Sequence, residues 1–210
     1  IMESRRTIPA IAQSMSHQVT IDPDAELGGR EMRLDAPRGV SNALAFVVGA
    51  LPEVREPRPE LPPEPKDAKR PTGAPPRFKT LDVTLPVVIN GQVTLRQPNL
   101  PLWDANRFTP GDTVRYRFQA QKGQRLVVVV NARRLIPYLA DAVPGWFQAT
   151  LTLYDSTGHE LVYEDDYRFH PDPVLFFRVP SDGQYEIEIK DAIYRGRPDF
   201  VYRIAIGQLP

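Results

Sequence analysis

The sequence predicts an all-β protein: an antiparallel β-sandwich or jelly roll that follows a smaller β unit and a proline-rich linker. About eight short strands, separated by turn residues at regular spacing, fill residues 81–210. At their centre lies Gly111 to Arg134, GDTVRYRFQAQKGQRLVVVVNARR, which reads as a hairpin. Val114, Tyr116 and Phe118 alternate there with Arg115, Arg117 and Gln119, so one face is buried and the other wet. Lys122-Gly123 supplies the turn, because glycine reaches positive φ without steric cost. Leu126 to Val130 is apolar on both faces and belongs inside the sheet system.

Residues 1–51 form the first unit. His17 to Ile21 reads as a strand, Asp22 to Gly29 as a turn, and Arg30 to Leu34 as the returning strand. Pro37-Arg38-Gly39 turns again into a third strand, Ala43 to Val48. Three strands make a face but hardly a full core. The order of strand, Gly-Gly-Arg-Glu, strand, Gly39-Val40-Ser41-Asn42 and closing strand is similar to immunoglobulin-like bacterial surface domains of the IPT/TIG type. On that resemblance the unit is a partial immunoglobulin-like β unit. Residues 52–80 follow as the linker, where prolines from Pro52 to Pro76 are interleaved with Glu, Arg and Lys. Such a segment buries too little apolar area to offset its ordering entropy, and its prolines bias it to an extended spacer.

Residues 81–210 hold the main domain. Leu85 to Thr94 contains a hairpin around Asn90-Gly91. Asn99 to Pro110 is irregular, and Leu135 to Pro144 breaks the strand rhythm with one helical turn. Phe147 to Leu153 is a strand, turned by Asp155-Ser156-Thr157-Gly158 into His159 to Tyr163. Val174 to Val179, Tyr185 to Ile189 and Phe200 to Ile206 complete the set. The inward side chains are Val114, Tyr116, Phe118, Leu126, Val128, Val130, Leu151, Leu153, Leu175, Phe177, Tyr185, Ile187, Tyr202 and Ile204. Burying each is worth roughly 1.5–3 kcal/mol, enough to hold a core without disulfides.

Composition narrows the function classes. The 26 basic and 26 acidic residues balance, so nothing favours electrostatic capture of nucleic acid or anionic lipid. The absence of cysteine excludes disulfides and thiol nucleophiles. No apolar run approaches the ~20 residues that span a bilayer, and no apolar h-region follows Arg5-Arg6. The abrupt ends suggest a piece of a longer polypeptide.

Residues 81–208 resemble the bacterial pre-peptidase C-terminal domain. The likeness rests on Gly111-Asp112, Tyr116-Arg117-Phe118, Lys122-Gly123, Leu151-Thr152-Leu153-Tyr154-Asp155 with Gly158, Asp165-Asp166, Val179-Pro180-Ser181-Asp182-Gly183-Gln184-Tyr185 and Tyr202-Arg203-Ile204. The resemblance implies a β-sandwich of jelly-roll type and a non-catalytic module of an exported or cell-surface bacterial protein. It also implies calcium-assisted collagen binding, as in clostridial collagenases. Two departures stand out. Val114 occupies a place where the family often has a second acid, and Leu135 to Phe147 looks like an insertion.

Acidic loops are the metal candidates, with Asp165 and Asp166 first and Asp112 and Asp104 as helpers. No spaced D-x-D-x-D-G loop is present, and Asp also favours turns by bonding its own backbone. His17, His159 and His170 show no zinc spacing, and no serine sits in G-x-S-x-G. Trp103, Tyr138, Trp146 and Phe147 cluster near irregular segments, either as a stacking platform for sugar or protein or as caps on the open end of the core. The expected function is therefore a non-catalytic accessory module, extracellular, cell-surface or periplasmic, serving spacing, stability or adhesion beside neighbouring domains of a longer chain. The alternatives are a ligand-binding module for carbohydrate or matrix protein, helped by calcium, and a processing domain of a secreted peptidase.

Overall fold

The computed structural model describes residues 18–37, 39–56, 79–94, 111–136, 146–197 and 199–208. In chain order the strands are β1 (Gly28–Met32), β2 (Asp35–Ala36), β3 (Gly39–Val40), β4 (Leu44–Val48), β5 (Glu53–Arg55), β6 (Lys79–Asp82) and β7 (Val87–Gln92). They continue with β8 (Val114–Ala120), β9 (Arg125–Asn131), β10 (Ala149–Asp155), β11 (Glu160–Glu164), β12 (Val174–Arg178), β13 (Gly183–Asp191) and β14 (Val201–Gln208). Two five-stranded sheets pack face to face, one ordered β12-β9-β14-β7-β5 and the other β11-β10-β13-β8-β6. Internal neighbours are antiparallel, and the edge pairs β5–β7 and β6–β8 are parallel.

The core lies between the sheets. Tyr116, Phe118, Leu151, Leu153, Ile187 and Ile189 face it from one side, and Ile89, Val128, Val130, Leu175, Ile204 and Ile206 from the other, all buried. The inward set read from alternation is buried throughout, except that Phe177 is partly covered. Alternation succeeds here because an outward slip of one residue would move a whole apolar row into water.

The connections differ from the expected hairpins. β8 and β9 lie in different sheets, so Gln121 to Gln124 is an arch across the sandwich rather than a hairpin turn. Its backbone pairs instead with the next arch, the one joining β12 to β13. Gly123 donates to the Val179 carbonyl at 2.8 Å, and Val179 to the Gln124 carbonyl at 2.9 Å. Lys122 donates its N–H to Asp182 at 2.6 Å. Two arches thus satisfy each other's polar groups where hairpin partners would have done so. Asn90-Gly91 is likewise no turn, since β7 runs straight through it. Gly91 is there for close approach: a Cβ would come within 2.5 Å of the Tyr202 phenol and 2.6 Å of Glu56.

Both ends of the stretch read as linker are strands. β5 and β6 are the edge strands of the two sheets, while 57–78 lies outside the described residues. Three- and four-residue strands show no usable alternation, and short charged edges suit a sheet border that must not recruit another chain. Of the first unit, residues 18–21 form no strand, and Val19 and Ile21 are exposed. β1 pairs with β4 and β2 with β3, one long hairpin rather than three strands. Two strands cannot enclose a core, and most of this hairpin is exposed. The chain after it meets the sandwich at Gly49, where a Cβ would approach the Arg203 guanidinium to 2.9 Å. The helical turn expected from Leu135 onward is a single 3-10 turn at Arg133–Leu135, and 137–145 lies outside the described residues.

Candidate functional site

Trp103, Asp104 and Tyr138 lie outside the described residues. Phe147 is core, not platform: its ring stacks on Phe200 at 5.1 Å and tilts against Tyr202 at 6.4 Å. As the last apolar residue before β10 it continues that strand's inward row and is sealed by the start of β14. Trp146 is half-buried, with the Arg133 guanidinium 5.2 Å over its ring.

The acids act as local fasteners. Asp112 accepts the Thr94 hydroxyl at 2.9 Å. Asp172 accepts the N–H groups of Ala132, Arg133 and Arg134 and so caps the 3-10 turn. Asp191 is fully buried and accepts the Arg195 guanidinium at 2.8 and 2.9 Å, besides the N–H groups of Gln148, Ile193 and Arg195. Asp155 gathers the Thr157 hydroxyl and the N–H groups of Thr157 and His159, and the Thr157 bond above all lowers its pKa. Asp165 and Asp166 are exposed. Among the described residues no three acidic or imidazole side chains come together as metal ligands would. The Thr157 hydroxyl lies 3.0 Å from His159 Nδ1 but gives its proton to Asp155, in a turn open to solvent.

Two polar assemblies were hidden from the sequence. The first joins the sheets. Tyr116 and Tyr202 meet hydroxyl to hydroxyl at 2.7 Å, and Tyr202 donates to Glu56 at 2.9 Å. Burial, and then the neighbouring charge, raises both phenol pKa values well above their ordinary range, so both are neutral donors at physiological pH. A cleft of about 490 Å³ opens beside them between edge strands β5 and β6, lined mainly by Val54, Leu81, Val83, Leu85, Pro86 and Ile89.

The second covers the outer face of the other sheet. Cross-strand register aligns Tyr163, Thr152, Glu188, Arg115 and Thr80 in one row over β11, β10, β13, β8 and β6. Glu188 takes Arg115 at 2.7 Å and Lys190 at 3.0 Å. Arg115 and Arg117 both reach Glu186, and Arg117 continues to Asp82. Tyr154 lies 4.4 Å from the Arg115 guanidinium, and Tyr194 lies 5.3 Å from Lys190. Under this cover Glu188 is only 3% exposed, on a face that a sandwich usually gives to water. Burial disfavours the Lys190 ammonium, but the bond to Glu188 outweighs it and its pKa rises. Burial, then the Glu188 charge, raises the Tyr154 pKa. Alternation marked Arg115, Glu186, Glu188 and Lys190 as outward; only the register of β8 against β13 shows that they meet.

No protein-family model and no curated protein matches the chain. Among solved structures it is similar to the pre-peptidase C-terminal domain of collagenase from Bacillus anthracis, at 11% identity and a TM-score of 0.40, covering 64% of this chain and 99% of that one. It is also similar to PliG of Aeromonas hydrophila, a periplasmic inhibitor of g-type lysozyme, at 14% identity and a TM-score of 0.37 over 63% and 100% of the two chains. CorA of Methylomicrobium album BG8, a surface-associated copper-binding protein, follows at 8% and 0.38 over 63% and 100%. Likeness at this level carries no argument about activity, ligand or partner. The chain is an all-β sandwich that resembles a pre-peptidase C-terminal domain, in the motifs from Gly111 to Ile204 and again in the comparison of structures.

Proposed function

We propose that this chain is a non-catalytic β-sandwich accessory module of an exported or cell-surface bacterial protein, serving stability and adhesion beside neighbouring domains. The observation that supports this most is the employment of its buried charges. Among the described residues these are Asp172, Glu188, Asp191 and Arg203. Each is tied into the fold, by the 3-10 turn, by Arg115 and Lys190, by Arg195, and by Glu53 respectively. A catalytic group needs a reacting atom within reach, and these groups are closed on the protein itself. The family resemblance supports the exported setting. The test has two arms: the folded chain is assayed on peptidase, glycosidase and esterase substrates, and cells expressing the parent gene are fractionated. No turnover and an envelope or medium location are expected; turnover or a cytosolic location overturns the reading.

A second reading, a ligand-binding module for carbohydrate or matrix protein, is favoured by the tyrosine-covered outer face. It shares the non-catalytic setting and differs in giving that face a ligand.

A further inference from the structure

The outer face around Lys190 combines exposed rings with buried charge. Tyr163 is 46% and Tyr194 59% exposed, with Ile193 at 54% and Leu161 at 36% beside them. Lys190 Nζ lies 5.3 Å from the centre of the Tyr194 ring, and Lys190 shares its strand face with Glu188. Tyr163 pairs with Thr152 on β10, which pairs in turn with Glu188 on β13. Two strand spacings, about 10 Å, therefore separate the strand bearing Tyr163 from the one that leads to Tyr194.

Tyr194 is held in place at a cost. Its φ is +61°, a conformation that a bulky side chain rarely adopts. The turn is fixed by the Asp191 carboxylate, which accepts the N–H groups of Ile193 and Arg195, and by the bond from Tyr194 N–H to the Asp191 carbonyl at 2.8 Å. The Tyr194 carbonyl in turn accepts the Gly111 N–H at 2.7 Å. A strained backbone that persists because its surroundings over-determine it points to a use for the side chain it presents.

We propose that this face, with the exposed Tyr163 and Tyr194 as stacking rings beside Lys190, binds a neutral oligosaccharide. The proposal rests on the ligand-binding reading given above. A sugar ring offers an apolar C–H face and a rim of hydroxyls. Tyrosine faces take the first, and the tyrosine hydroxyls with the Lys190 ammonium take the second. Tyrosine suits the role because two side-chain torsions leave little entropy to lose. Charge decides between ligands. Lys190, Arg115 and Arg117 alternate with Glu188, Glu186 and Asp82 in one connected chain of ion pairs. A polyanion finds no net positive field there, and an apolar peptide would have to cover a charged centre.

The full chain is titrated by calorimetry with hexasaccharides of glucose, xylose, mannose and N-acetylglucosamine, and with a sulfated hexasaccharide. At least one neutral hexasaccharide is expected to bind. Tyr163→Ala and Tyr194→Asn should each weaken it about tenfold, with unchanged melting, since asparagine tolerates the positive φ. Phe169→Ala, at a fully exposed turn, should leave binding unchanged. No binding by any neutral hexasaccharide at millimolar concentration, binding of the sulfated one alone, or binding indifferent to both tyrosine variants overturns the proposal. These outcomes leave the non-catalytic reading standing, which only turnover or a cytosolic location would remove.

Discussion

The hydroxyls of Tyr116 and Tyr202 touch across the sandwich, 2.7 Å apart, one from each sheet. The Glu56 carboxylate lies 2.9 Å from the Tyr202 hydroxyl and 3.5 Å from that of Tyr116, so the shorter bond takes the Tyr202 proton and leaves Tyr116 as the donor between the two phenols. Removing Glu56 strands a buried donor, whereas removing the Tyr116 hydroxyl strands none. Glu56→Ala should therefore cost about 1–3 kcal/mol and Tyr116→Phe about 1 kcal/mol or less. Urea unfolding checks the order; an equal or reversed ranking rejects this donor chain.

Gly91→Ala should destabilise although β7 is extended there and alanine is a better chain former than glycine. The new methyl would overlap the Tyr202 phenol and the Glu56 carboxylate. A cost of about 1–3 kcal/mol is expected from overpacking. Stabilisation, read as a higher urea midpoint, would mean that glycine serves only flexibility at this position.

Asp191→Ala should be the most damaging of these changes. It leaves the Arg195 guanidinium, 16% exposed, without its buried carboxylate and orphans three backbone N–H groups. Breaking such a pair costs about 3–5 kcal/mol. The melting midpoint of the variant measures it, and a loss no larger than that of Tyr116→Phe contradicts the clamp.

Asp155 makes a pH-dependent contribution. Its folded pKa is lowered by the Thr157 and His159 bonds. The stabilisation is fully present above the ordinary aspartate pKa and disappears as pH falls through the lowered folded value. The melting difference between the wild type and Asp155→Asn should be constant from neutral pH down to about 5 and close on further acidification. A difference that persists at the acid end rules out this linkage.

Millimolar calcium should leave the melting midpoint where it is. Asp112 is engaged by Thr94, and no acidic triad gathers among the described residues. A ligand that binds only the native state must raise the midpoint, so a calcium-dependent rise would reinstate the metal.

Strand positions and the core were legible because alternation is local. Val114, Tyr116 and Phe118 announce their burial within five residues. Connectivity was not, because Gly123 serves an arch as well as it serves a hairpin: both need a positive φ, and it has one at 86°. Which strand answers β8 is decided by long-range pairing, here with β13. The same limit hid the candidate site. Arg115 and Glu188 are 73 residues apart in sequence and adjacent only through register. Glu56 was read as spacer because proline-rich surroundings dominate its window, whereas its partner Tyr202 lies 146 residues away.

The parallel pairing of β5 has a mechanical consequence. Glu53 stands level with Val88 and, across β7, with Ala205; Arg55 stands level with Asn90 and Arg203. The chain thus enters β5 and leaves β14 at the same end of the sheet, two strands or about 10 Å apart. Tension between entry and exit would peel these strands bond by bond instead of shearing a ladder all at once. Held at those two points the sandwich would swing as a pendant, giving bulk and surface but little length.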